Sequence, residues 1–181
     1  MSVVADLNLP IRPVAPPVAE DADGLAALAV SLILSLRREV SGQTLGLVGF
    51  GPVARAVARR AGQGLGMQVL VFSHGPLDQA MLDAVGATRA ADLDTLLRKS
   101  DVVSLHSAEP IKGAQLDLMQ DHAILVNVGA NKGLDQKALA HGLMFGCLGG
   151  AGLAVAGGER INPLLAQCET LVTACPPDLA P

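Results

Sequence analysis

Aromatic side chains are nearly absent: the 181 residues include three Phe, no Tyr and no Trp. A protein that stacks bases needs aromatic platforms, and one that tracks phosphates needs clustered cations. Thirteen Lys and Arg stand against 17 Asp and Glu, a net charge of -4, which argues against nucleic acid as a partner. Cysteine is scarce as well. Cys147, Cys168 and Cys175 are odd in number, with no C-x-x-C pair and no His at zinc-ligand spacing. Neither a disulfide frame nor a metal site is expected, and a reducing cytoplasm fits best. The longest uncharged apolar run, Gly24 to Leu36, is about 13 residues, short of the roughly 18 that span a bilayer. Arg37 and Arg38 follow this run, the reverse of a secretory signal. Glycine and proline show no repeating period.

Half of the residues are hydrophobic, so a core with few rings must be built from Ala, Val, Leu and Ile. The length fits one domain with a sizeable core. Residues 1–19 contain Pro10, Pro13, Pro16 and Pro17 and read as an arm; residues 20–176 form the domain and 177–181 a tail. The first helix is expected from Asp23, as N-cap, to a last turn holding Arg37 and Arg38. Leu25, Leu28, Leu32 and Leu36 make one stripe on it, and Val30, Ile33 and Leu34 much of the opposite side. Such a helix is either wholly internal or lies with one face on its own sheet and the other on a second copy. The second arrangement is the expectation, a homodimer through helix 24–38.

Beyond Gly42 apolar strands and helices alternate. Strands are expected at Leu45 to Gly49, Gln68 to Ser73, near Thr88, Val102 to Leu105, Ala123 to Val128, Cys147 to Val155 and near Leu171. Helices are expected at Pro52 to Gly62, Leu77 to Val85, Leu93 to Lys99, near Leu116, and Leu134 to Leu143. Continuous apolar strands separated by helices indicate a parallel sheet covered on both faces. The fold class is therefore α/β, a doubly wound, Rossmann-like three-layer α/β/α domain with any ligand at the carboxyl ends of the strands.

Gly49-Phe50-Gly51-Pro52-Val53-Ala54 follows a strand and opens a helix as G-x-G-x-x-A. In that context Gly49 permits the turn, Gly51 lets backbone approach a pyrophosphate, and Ala54 lets the helix pack. Pro52 suits the first helical position but brings no N–H. The carboxylate that takes adenosine ribose hydroxyls is missing where the second strand ends, at Ser73-His74. Either these two residues admit NADP, or they form a solvated turn; no Arg stands nearby to bind a 2′-phosphate. His106, at a strand end, either touches the ligand or is a hydrogen-bonded structural residue. His122 and His141 read as loop and helix-surface residues. Gly146, Gly149, Gly150 and Gly152 read as strand glycines in close contact with a helix.

Gly42-Gln-Thr-Leu-Gly-Leu-Val-Gly-Phe-Gly51, Ser100-Asp-Val-Val-Ser-Leu-His106, Ala123-Ile-Leu-Val-Asn127 and Asn162-Pro-Leu-Leu165, in that order, resemble the coenzyme-binding domain of the D-isomer-specific 2-hydroxyacid dehydrogenases. The resemblance runs from about Val18 to Pro176. It implies NAD or NADP as cofactor, with Gly49, Gly51, Pro52, Val53, Ser73, His74, His106 and Val128 as the binding set. It also implies that helix 24–38 helps form a dimer.

The same resemblance exposes departures. Ala130 stands where the family has the Arg that holds the substrate carboxylate, with Lys132 two residues off. Cys175 stands where it has the His that moves the hydroxyl proton, and Ala154 replaces an Asp beside the nicotinamide. Glu159 is the catalytic position retained, expected as an exposed loop acid without its His. Only 41 residues precede Gly42, which leaves no room there for a substrate domain, and the loop after His106 is short. The expectation is a noncatalytic nucleotide-binding module, a pseudoenzyme. The alternatives are an oxidoreductase completed by another chain and a structural dimer without ligand.

Overall fold

The computed structural model describes residues 22–129, 131–155 and 159–174. The expected arm at 1–19, the tail at 177–181, Ala130 and Cys175 lie outside them.

Seven strands form one parallel sheet in the order β3-β2-β1-β4-β5-β6-β7. They are β1 (Thr44–Val48), β2 (Gln68–Phe72), β3 (Ala87–Arg89), β4 (Val102–Leu105), β5 (Ile124–Asn127), β6 (Gly150–Ala154) and β7 (Leu171–Ala174). The order reverses between β1 and β4, which pair Leu45 with Val102 and Val48 with Leu105. Loops leaving these two strands must part there, opening a crevice at their carboxyl ends. The doubly wound expectation holds.

Helices α1 (Ala22–Leu36), α2 (Pro52–Ala58) and α3 (Gln79–Asp83) cover one face, and α4 (Leu93–Lys99), α5 (Gly113–Leu116) and α6 (Gln136–Met144) the other. Aspartates start three of them: Asp78, Asp92 and Asp135 accept from the amides of Ala80, Thr95 and Ala138 at 3.0, 2.7 and 3.0 Å. Each satisfies an amide that a helix start leaves without an internal partner. Two separate apolar clusters flank the sheet, both built mainly from Ala, Val, Leu and Ile.

Several boundaries move. Asp23 lies inside the first turn of α1 instead of capping it, and Arg37 and Arg38 follow the helix, so no cation sits in its last turn. Arg37 instead reaches across to donate to the carbonyl of His122. The helix after the glycine turn is regular to Ala58 and then widens into a π segment, Arg59–Gly64. The strand expected from Cys147 begins only at Gly150. Gly146 is a helix-terminating residue with φ of 70°, a conformation that suits glycine.

Close packing explains the glycines of β6. A Cβ on Gly152 would come within 3.0 Å of Leu32, and one on Gly150 within 3.0 Å of Leu36. Both Leu residues belong to α1, so the strand offers a smooth floor on which that helix lies, as the spacing suggests. Gly149 differs, since its Cβ would strike the carbonyl of His122 at 2.4 Å, backbone instead of helix.

The sheet also settles which sides of α1 are internal. Leu28, Leu32 and Ile33 are fully buried against the chain itself. Ile33 therefore does not belong to an outer stripe. The outward apolar surface reduces to Val30, half-buried, and Leu34, which is 39% exposed. Among the described residues no helix is long and apolar enough to cross a membrane.

Candidate functional site

The expected site residues converge on the carboxyl edge of the sheet because each follows a different strand. Gly49 and Gly51 follow β1, Ser73 and His74 follow β2, His106 follows β4, Val128 follows β5 and Glu159 follows β6.

Gly49 adopts φ of 94°, and its amide donates to the carbonyl of Phe72 at 2.7 Å. A Cβ there would lie 2.8 Å from Ser107 and 3.0 Å from the backbone of His106. The turn is thus pressed against the loop after β4, and only glycine meets both the torsion and the space. Gly51 is the opposite case. It caps α2 in an extended conformation with no side-chain cap, and a Cβ would meet no atom within 4 Å. Its hydrogen faces open space, and behind it the first-turn amides of Val53 and Ala54 have no helical carbonyl to bond. Pro52 occupies the first helical position as expected.

Gly51, Pro52 and Val53 form one wall of a cleft of about 630 Å³; Asn127, Val128 and Lys132 belong to another. His106 lies between them. Its Nε2 shares a 2.8 Å hydrogen bond with the Ser104 hydroxyl. Burial pushes the imidazole down to about 4, so at neutral pH it is an uncharged hydrogen-bonding group. The hydrogen-bonded reading of His106 holds, and the residue also lines the cleft. Leu25 lines the cleft as well, a contribution from α1 that no motif announced.

A second hollow of about 300 Å³ lies beyond Gly49, between the end of β2 and the loop after β4. Ser73 and His74 line one side and Glu109 the other. The His74 ring, edge-on to Phe72 at 5.1 Å, pairs with the Glu109 carboxylate. His74 is 74% exposed and Glu109 only 21%. The turn is solvated, and the carboxylate beside it, Glu109, comes from another loop. Sequence spacing gave no signal for this meeting.

Glu159 departs from expectation. It is half-buried, and its two carboxylate oxygens accept from the amide and the Nδ2 of Asn131. Asn131 is itself 2% exposed. Its Nδ2 also donates to the carbonyl of Ala154 at 2.9 Å, and its Oδ1 accepts from Asn127 at 2.8 Å. Asn127 in turn accepts from the amide of Gly129 at 3.0 Å. A buried polar network of this kind fixes the loop after β5 because each member left unpaired would cost free energy. Glu159 is therefore tied to the loop after β5, not loose on a surface. His122 bonds Asp101 at 2.8 Å and His141 is exposed on α6, both remote from the cleft.

The sequence matches the description "D-isomer specific 2-hydroxyacid dehydrogenase, NAD binding domain" over residues 33–176. It is 41% identical over 123 residues to a glyoxylate reductase of Thermococcus kodakarensis, covering 65% of this chain and 36% of the relative. It is 46% identical over 124 residues to an (S)-sulfolactate dehydrogenase of Chromohalobacter salexigens, covering 65% and 39%. The apo D-mandelate dehydrogenase of Rhodotorula graminis superposes with a TM-score of 0.81 at 25% identity, covering 92% of this chain and 59% of that one. The chain belongs to the D-isomer-specific 2-hydroxyacid dehydrogenase family, as its NAD-binding domain. It spans well under half the length of these two curated relatives.

The residues present suit a nicotinamide dinucleotide. Gly51 leaves the approach to two helix-start amides open, as a pyrophosphate requires, and a hollow lies on either side of the turn. When bound, such a cofactor supplies hydride chemistry.

Proposed function

We propose that this chain binds a nicotinamide dinucleotide across the two hollows without itself carrying the dehydrogenase reaction. The observation that carries the reading is the contrast between a glycine turn with an open approach and a catalytic position, Glu159, engaged in holding Asn131. Gly51, Val53 and Ala54 would hold the pyrophosphate. His106 and Val128 would face the nicotinamide side, and Ser73 and His74 the adenosine. Ala130 and Cys175 stand where the family has its Arg and His, so two charge-assisted bonds to substrate and the group suited to proton transfer are missing.

Titration with NADH, followed by cofactor fluorescence in a protein without Trp, tests the binding. Saturation is expected, with no oxidation of NADH on adding glyoxylate as a probe 2-oxo acid. No binding at millimolar NADH would refute the reading.

A second reading rests on Lys132. Among the described residues lining the main cleft it is the one Lys or Arg, placed where a substrate carboxylate could meet a point charge. In that reading a substrate domain on another chain completes an oxidoreductase. Turnover of 2-oxo acids that appears only with a co-purifying chain would support it. The outward apolar residues of α1, Val30 and Leu34, are the surface through which we propose that two copies pair.

A further inference from the structure

We infer that Glu109 makes the cleft select a dinucleotide whose adenosine 2′-hydroxyl is free, NAD over NADP. The inference rests on the reading that the two hollows bind a nicotinamide dinucleotide. Strand β2 ends at Phe72 and is followed by uncharged Ser73, so this strand end contributes neither a carboxylate to hold ribose hydroxyls nor a guanidinium to accept a 2′-phosphate. Glu109 comes from the loop after β4 and faces Ser73 across the same hollow. The sheet order β2-β1-β4 makes this possible, because only β1 separates the two loops, and β1 ends in the compact turn at Gly49. The neighbouring imidazole of His74 orients the carboxylate.

Charge decides the preference. An ionised carboxylate accepts hydrogen bonds from hydroxyls and donates none, so it can hold the two vicinal hydroxyls of a ribose. A 2′-phosphate in the same place would bring negative charge against it. At 21% exposure Glu109 is poorly screened, and no Lys or Arg is among the described residues lining this hollow to offset the repulsion. Repulsion between close charges at a partly buried site amounts to about tenfold or more in affinity.

The test compares NADH and NADPH binding to the whole chain by calorimetry, with AMP and adenosine 2′,5′-bisphosphate as short probes. The unmodified protein should favour NADH over NADPH, and AMP over the bisphosphate, by about tenfold or more. Glu109→Gln keeps the shape and removes the charge, so NADH should weaken while NADPH holds or tightens, and the preference should largely disappear. Adding Ser73→Asp to Glu109→Gln returns a carboxylate to the hollow from β2 and should restore the preference, a rescue that a merely structural role for Glu109 would not produce. Equal or reversed preference in the unmodified protein, or a preference unchanged in Glu109→Gln, overturns the inference and leaves the cofactor reading standing. Failure of both dinucleotides to bind overturns the cofactor reading itself, and the inference with it.

Discussion

The carboxylate of Glu159 grips Asn131 twice, accepting from its amide at 3.2 Å and from its side-chain Nδ2 at 3.1 Å. Two loops, after β5 and after β6, are joined by this pair, and the first of them carries Val128 and Lys132 into the cleft wall. Glu159→Ala leaves two donors near a buried Asn131 without that acceptor. A loss of about 1–3 kcal/mol in urea unfolding is expected, with a weaker NADH affinity as the loop loosens. Stability unchanged by the substitution would show that the pair does not brace the loop.

The two glycines of the turn should respond in opposite ways. Gly49→Ala meets both a positive φ and a contact of 2.8 Å with Ser107, so it should destabilise the fold by about 1–3 kcal/mol. Gly51→Val meets open space at its Cβ and should cost only about 1 kcal/mol, the loss of a favourable N-cap residue. It should nonetheless abolish NADH binding, because its methyl groups fill the pyrophosphate approach. Thermal melts paired with NADH titration separate the two outcomes.

His106 predicts a sign for the response to acid. Its folded pKa is lowered to about 4, below the ordinary value near 6.5, so the unfolded chain binds the proton more readily. Stability is then full above about pH 6.5 and declines as pH falls from there toward 4, by up to about 3 kcal/mol from this residue. Urea midpoints measured across that window should show the decline, and His106→Gln should flatten it. An equal slope in the variant would assign the effect to other groups.

Helix α1 separates core from the surface proposed to pair two copies. Leu28→Glu or Leu32→Glu places a charge in a fully buried position and should prevent folding. Leu34→Glu, at a residue 39% exposed, should leave the fold intact and convert a dimer to monomer in sedimentation. A folded variant whose mass equals that of the unmodified protein would remove this face as the interface.

The sheet was legible because its inner strands β1, β4, β5 and β6 are buried on both faces and read as nearly unbroken apolar runs. The glycine turn was legible because Gly49, Gly51 and Ala54 fall within six consecutive residues between a strand and a helix. Other features depend on meetings that no local pattern encodes. Glu109 reaches His74 from 35 residues away, through strand order alone. Glu159 reaches Asn131 across 28 residues, and a resemblance to a family does not disclose that this side chain holds a neighbouring loop. Periodicity established that α1 is apolar nearly all round, but only the sheet beneath it shows that Ile33 faces inward.

The glycine floor of β6 also ties distant parts of the chain together in time. Leu32 and Leu36 rest on Gly152 and Gly150, more than 110 residues further along. During synthesis α1 is the earliest described helix to leave the ribosome, yet the strands that cover its apolar side, β5 to β7, come last. Until then the part of α1 that rests on them, Leu32 and Leu36 with it, is uncovered. Contacts of such long separation slow the final closure of a fold, and exposed apolar surface in the interval invites aggregation or chaperone binding. The residues that make α1 a secure part of the finished domain therefore make it the segment most in need of protection before the domain is complete.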